Sequence, residues 1–192
     1  VEGEAVGVRR RADAVQNREK LLDAAEAVFL EAGINVPLDV VAERAGVGRA
    51  TLFRNFVDRH ALITGLLDRG LDELECEALR IDGDAAALGR LLRFVAERMV
   101  ARAPLIEYWR TFGHDSPDYQ AAMKRFVTLF EKPVAWAVAG GACRADLLPL
   151  DVFLMATMLS GALYAPTSCR RRELTERAWM FVVEMAQLRN PP

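Results

Sequence analysis

Cysteine is scarce: Cys76, Cys143 and Cys169 stand far apart and form no Cys-x-x-Cys pair. That excludes a disulfide framework and a zinc ribbon, and it is the pattern of reduced thiols in a cytosol. Histidine is scarcer still, with only His60 and His114. The chain also lacks Gly-x-Ser-x-Gly, His-Glu-x-x-His and Walker-type loops, so the common motifs of hydrolases, zinc proteases and nucleotide hydrolases are missing. The most apolar run, roughly residues 152–165, is too short to span a bilayer, which takes about 20 residues. No signal peptide opens the chain, and the expectation is a soluble cytoplasmic protein. An overall excess of positive charge is absent too: 25 basic residues face 27 acidic ones, for a net charge of −2. That excludes a non-specific nucleic-acid coat.

What the chain has is apolar surface, 52% of its 192 residues, enough for a sizeable core. Its periodicity is helical throughout, which predicts an all-α fold of about nine helices. The stretch from Leu38 to Phe56 organises the rest. Ala42, Gly46 and Leu52 fall there at offsets of four and ten. A helix-turn-helix needs a small residue where its helices touch and a residue free to take φ > 0 in the turn. It also needs an apolar residue that locks the second helix onto the first. The three residues meet those needs in that order. The second helix, from about Gly48 to Asn55, exposes Arg49, Ala50, Thr51, Arg54 and Asn55, side chains suited to base edges and phosphates in a groove. Between Arg44 and Arg59 stand four arginines (44, 49, 54 and 59) and one acid, Asp58, so the local sign is positive. A plain αα-hairpin with solvated arginines has the same offsets, and the flanks decide between the two.

Residues 1–16 carry Arg9, Arg10 and Arg11 and few large apolar side chains, which predicts a flexible basic arm able to dock on a phosphate backbone. Helix 1 is expected from about Asn17, as N-cap, to Ala32, with Gly33 as the C′ residue. Leu21, Leu22, Ala25, Val28, Phe29 and Ala32 form its core face. Helix 2 is expected over about Pro37–Ala45. Asp58 can cap a fourth helix reaching to about Leu79. Arg59 sits in that helix's first turn, where a cation opposes the helix dipole. A bound phosphate would reverse the penalty, which makes Arg59 a candidate DNA contact.

Residues 18–62 resemble the DNA-binding domain of the tetracycline-repressor (TetR) family. The matching residues are Leu22-x-x-Ala25, Phe29-x-x-x-Gly33, Val41-Ala42-x-x-Ala45-Gly46-Val47 and Thr51-Leu52-Phe53-x-Asn55-Phe56-x-x-Arg59-x-x-Leu62. The resemblance implies a transcriptional regulator, usually a repressor, acting as a homodimer. It implies an N-terminal three-helix domain over residues 17–60 and a larger helical effector-binding and dimerisation domain over 61–192. It also implies DNA contacts from Gly48, Arg49, Ala50, Thr51, Phe53, Arg54, Asn55 and Arg59. Phe53 stands where the family usually has a tyrosine whose hydroxyl meets phosphate, and Val36-Pro37 where a Thr or Ser often caps helix 2.

Beyond Leu79 the periodicity predicts helices over about 85–103, from Pro104 to Gly113, and over about 117–139, the last kinked or split at Pro133. Phe94, Met99, Tyr108, Trp109, Phe112, Met123, Phe126 and Phe130 cluster in this region. Each suits a bundle core. As a group they are the candidate lining of a pocket for a small apolar or aromatic effector. Glu107, Arg110 and His114 are the polar candidates near its mouth. Residues 150–165 are apolar nearly all round, and 173–188 carry two apolar faces, with arginines 170–172 in a loop between them. Such helices bury more than one side, and a pair from each chain can build a homodimer. Two-fold symmetry would favour a palindromic operator in double-stranded DNA. No cofactor, metal or membrane partner is called for. Two competing readings come from other classes: an enzyme, opposed by the missing motifs, and a helical sensor or interaction protein without DNA binding.

Overall fold

The computed structural model describes the backbone of residues 2–81, 83–111 and 116–189, and side chains from residue 13 onward except 110 and 111. Among the described residues it is all-helical, with ten α-helices and one short 3-10 helix. Two compact units divide within one helix, after Leu67.

The first unit contains α1 (Glu2–Ala32), α2 (Leu38–Arg44), α3 (Arg49–Asn55) and the opening turns of α4 (Arg59–Arg80). Its core is Leu21, Leu22, Ala25, Val28, Phe29, Val41, Leu52, Phe56, Leu62 and Ile63. Gly33 ends the α1 core segment at φ +83°, its N–H donating to the Phe29 carbonyl at 3.1 Å. Gly65 lets α4 approach closely: a Cβ there would lie 3.0 Å from the Phe56 ring and 3.2 Å from Leu22.

Two boundaries differ from the sequence reading. Residues 2–16 continue α1 as helix, so Asn17 is interior and caps nothing. This segment holds no proline and carries three alanines and three arginines, so the helix can propagate through it despite two glycines. Residues 13–16 stay exposed. The unit boundary lies at 67/68 rather than 60/61 because Leu62, Ile63 and Leu66 are buried in the first unit's core.

The second unit holds the rest of α4 with α5 (Ala87–Ala101), α6 (Ala103–Thr111), α7 (Pro117–Leu129), α8 (Glu131–Ala139), α9 (Pro149–Ser160), the 3-10 helix (Gly161–Tyr164) and α10 (Ser168–Ala186). Its core gathers Leu88, Leu91, Leu92, Phe130, Val134, Ala137, Val152, Leu159, Trp179 and Val182. Pro133 does split the segment expected over 117–139. Without an N–H it cannot continue the ladder. Phe130 takes a tightened bond to Val127 at 3.1 Å, and the chain restarts as α8. Arginines 170–172 lie in the opening turns of α10 rather than in a loop. Thr167 caps that helix by accepting from the Arg170 N–H at 3.2 Å, and Arg170 pairs with Glu173 at 2.7 Å.

Ion pairs fasten these helices at their rims. Arg98 of α5 and Arg102 just after it meet Glu73 of α4 at 3.5 and 2.7 Å. Arg125 of α7 meets Asp72 and Glu75 of α4 at 2.5 and 2.9 Å. Arg93 of α5 donates to both carboxylate oxygens of Glu176 on α10 and lies over the Trp179 ring. The hydrogen bond from Arg93 holds the Glu176 carboxyl below its ordinary range. Burial pushes the Cys143 thiol up, whereas Cys76 and Cys169 are exposed. Among the described residues no helix is long and apolar enough to cross a membrane.

Among the described aromatics of the second unit, Phe126, Phe130 and Phe153 pack on one another. Phe130 is 0% exposed and its ring lies 4.9 Å from that of Phe126, which meets Phe153 at 6.2 Å. Phe130→Ala should therefore cost about 3–5 kcal/mol of unfolding free energy in denaturant melts. A cost under about 1 kcal/mol would mean the ring borders open space.

Candidate nucleic-acid interface

The turn between α2 and α3 is built by backbone bonds. The Gly46 N–H donates to Glu43 at 3.0 Å and the Val47 N–H to Ala42 at 3.0 Å. Gly46 holds φ +66°, a conformation costly for any residue with a Cβ. Ala42 and Leu52 are 4% and 1% exposed, so the helix contact and the lock both stand where the offsets put them. Gly48 precedes α3 in extended conformation and accepts from the Thr51 N–H at 2.8 Å. Neither Gly48 nor Pro37 offers a side-chain cap.

This frame turns the outer face of α3 to solvent. Gly48, Arg49, Ala50, Phe53 and Arg54 are exposed, and Thr51 and Asn55 are half-buried. Seven residues of α3 span roughly 10 Å, against a major groove about 12 Å wide. The arginines are not loose. Arg49 pairs with Asp39 of α2 at 3.0 Å and lies over the Phe53 ring. Arg54 donates to the Thr51 hydroxyl at 2.9 Å, and the Asn55 amide donates to the Thr51 carbonyl at 2.8 Å. Arg44 reaches back to Glu31 of α1 at 2.5 Å.

Arg59 differs in kind. Its Nη2 donates to the Val36 carbonyl at 2.6 Å and its Nη1 to the Ile34 carbonyl, while its guanidinium lies near the Phe29 ring. The mismatch between a cation and the α4 N-terminus is thus relieved by two carbonyl dipoles of the α1–α2 turn, without a phosphate. Asp58 caps α4 as expected, accepting from the Ala61 N–H at 2.8 Å. Sequence reasoning missed two supports. Arg18 stacks on the Phe56 ring at 4.5 Å, and Asp39 holds Arg49. Both pairings depend on how helices meet, and neither residue carries a local signature.

The described pocket candidates differ in burial. Phe94, Met99, Tyr108, Met123 and Phe126 are half-buried, Trp109 is buried edge-on to Tyr108, and Phe112 and His114 lie outside the described residues. A cavity of about 10 Å³ lies among Ile106, Glu107, Ser160, Leu163 and Tyr164, room for about one water. None of its described lining residues is among the eight candidates. Among the described residues no group of His, Cys, Asp and Glu could hold a metal ion.

Arg59→Ala should lower stability by roughly 1.5–3 kcal/mol, the scale of charge-assisted hydrogen bonds, with a matching fall in the urea midpoint. An unchanged midpoint together with weakened DNA affinity would return Arg59 to the role of a phosphate contact.

Comparison with known proteins agrees with this geometry. The family model described as bacterial regulatory proteins, tetR family, matches residues 21–66, the span that forms the first unit's core. Over 75 residues the chain is 31% identical to an HTH-type transcriptional regulator of Staphylococcus aureus, covering 38% of this chain and 40% of that one. The chain thus aligns with about two fifths of that relative's length. A TetR transcriptional regulator from Streptomyces coelicolor shares 25% identity at a TM-score of 0.66, over 88% of this chain and 97% of that one. A TetR transcription regulatory protein from Mycobacterium vanbaalenii, at 24% identity and a TM-score of 0.67 over 92% and 98% of the two chains, has the same fold. Residues 21–66 thus match the DNA-binding domain of the tetR family of bacterial regulatory proteins, and the fold of the chain is similar to that of TetR transcriptional regulators.

Proposed function

We propose that this protein is a cytoplasmic, sequence-specific DNA-binding transcriptional regulator, acting as a repressor. The observation that carries the reading is α3: a locked helix whose outward side chains are Arg49, Ala50, Phe53 and Arg54. Arginine suits guanine edges and phosphates, and alanine and phenylalanine suit the thymine methyl group.

Dimerisation is supported by unburied apolar surface on the two terminal helices. Leu150, Leu154 and Met158 recur every four residues along α9 and are more than half exposed. Met180, Phe181 and Met185 on α10 are exposed as well. The opposite sides of both helices, through Val152, Met155, Trp179 and Val182, are already buried in the core. A second copy covering the outer faces gives the two-fold assembly that reads a palindrome.

An effector remains part of the proposal in a restricted form. Small-molecule sites usually offer at least about 300 Å³, far above the cavity beside Ile106 and Leu163. Binding of an apolar or aromatic ligand among the half-buried Phe94, Tyr108 and Phe126 therefore requires the second unit to open. A ligand that favours the opened form shifts the DNA-binding equilibrium only by its differential affinity for the two forms.

Selection from a pool of random duplex DNA at moderate salt should enrich a palindrome with two half-sites about one helical turn apart. A folded dimer that enriches no motif would overturn DNA reading and leave a helical sensor.

A further inference from the structure

Asp39 and Arg49 belong to different helices of the helix-turn-helix, yet their Oδ2 and Nη1 are 3.0 Å apart. The Arg49 guanidinium carbon also lies 5.4 Å from the centroid of the Phe53 ring, one turn further along α3. The pair is 70% and 58% exposed, so it adds little to stability. Its consequence is directional. Arginine is long and rotamer-rich, but here one donor is tied and one face is laid along a ring. A guanidinium has five N–H donors in a planar fork, and Asp39 takes one at Nη1.

What the rest of that fork meets is constrained by charge. A phosphate brought to the same head would also meet the Asp39 carboxylate, and the two anions would repel. A neutral base edge escapes this penalty. The base edge with two acceptors matching paired guanidinium donors is guanine, through O6 and N7. We propose that Asp39 is a positioning residue that holds Arg49 for bidentate reading of one guanine in each half-site. The proposal rests on the DNA-binding reading of α3. It makes an acid, unfavourable for DNA affinity as a whole, a source of discrimination.

The test compares selection profiles of the full chain and of Asp39→Ala, Asp39→Asn and Arg49→Ala at one salt concentration. Binding to the enriched site is then measured with guanine or 7-deazaguanine at the position that Arg49→Ala alters. The unaltered protein should prefer guanine there by roughly tenfold. Asp39→Ala should bring that preference to about twofold and leave the other positions, and binding to unrelated duplex, undiminished. Asp39→Asn, which keeps an acceptor, should fall between. Substitution by 7-deazaguanine should weaken the unaltered protein severalfold and Asp39→Ala little. Asp39→Ala with an intact guanine preference overturns the proposal while DNA reading stands, as does an equal loss at every position. If the unaltered protein enriches no motif, both fall.

Discussion

A seven-residue helix does not hold itself together in water, because nucleation costs more than so few hydrogen bonds return. Both α2 and α3 have this length, and neither has a side-chain cap. Their existence depends on burial: Val41 and Ala42 on one side of the turn, Leu52 and Phe56 on the other, all against the apolar faces of α1 and α4. The glycine at 65 is part of the same constraint, since the Phe56 ring sits in the space a side chain would fill. Once these contacts form, the outer face of α3 is determined down to its residues, because Leu52 can point inward only if Arg49, Ala50, Phe53 and Arg54 point outward.

On that face, charge is arranged rather than accumulated. The chain is slightly acidic overall, yet arginines 44, 49, 54 and 59 gather beside the turn. Each is restrained by a neighbour: Glu31, Asp39, the Thr51 hydroxyl, and the carbonyls of Ile34 and Val36. Restraint lowers the ordering entropy lost on binding and favours geometric fit over mere attraction. The second unit shows the same economy on a larger scale, with an apolar core and ion pairs at its rims. Among its described residues, exposed large apolar side chains recur along α9 and α10.

The helix-turn-helix is legible in the sequence because its demands are local. A small residue, a left-handed turn and a lock at fixed offsets need no knowledge of the rest of the chain. The split at Pro133 and the cap at Asp58 are legible for the same reason. The clamp made by Arg59 is not, since its carbonyl acceptors lie 25 and 23 residues earlier. Asp39 reads as an ordinary first-turn acid until α3 brings Arg49 beside it. The amino-terminal arm misleads because polar composition describes exposure, and an exposed segment can still extend a helix already nucleated by Leu21 and Leu22. For the aromatic cluster, residue type does not separate a core position from a pocket lining: Phe130 is fully buried against Phe126, which is itself half-buried.

The most direct test is to titrate the purified chain with its selected palindrome and with a scrambled duplex of the same composition, across about 50 to 200 mM salt. A preorganised reading head predicts that both affinities fall with salt while the palindrome stays roughly a thousandfold or more tighter. Equal affinities at every salt concentration would mean that the arginines of α3 hold DNA without reading it, and would contradict the account.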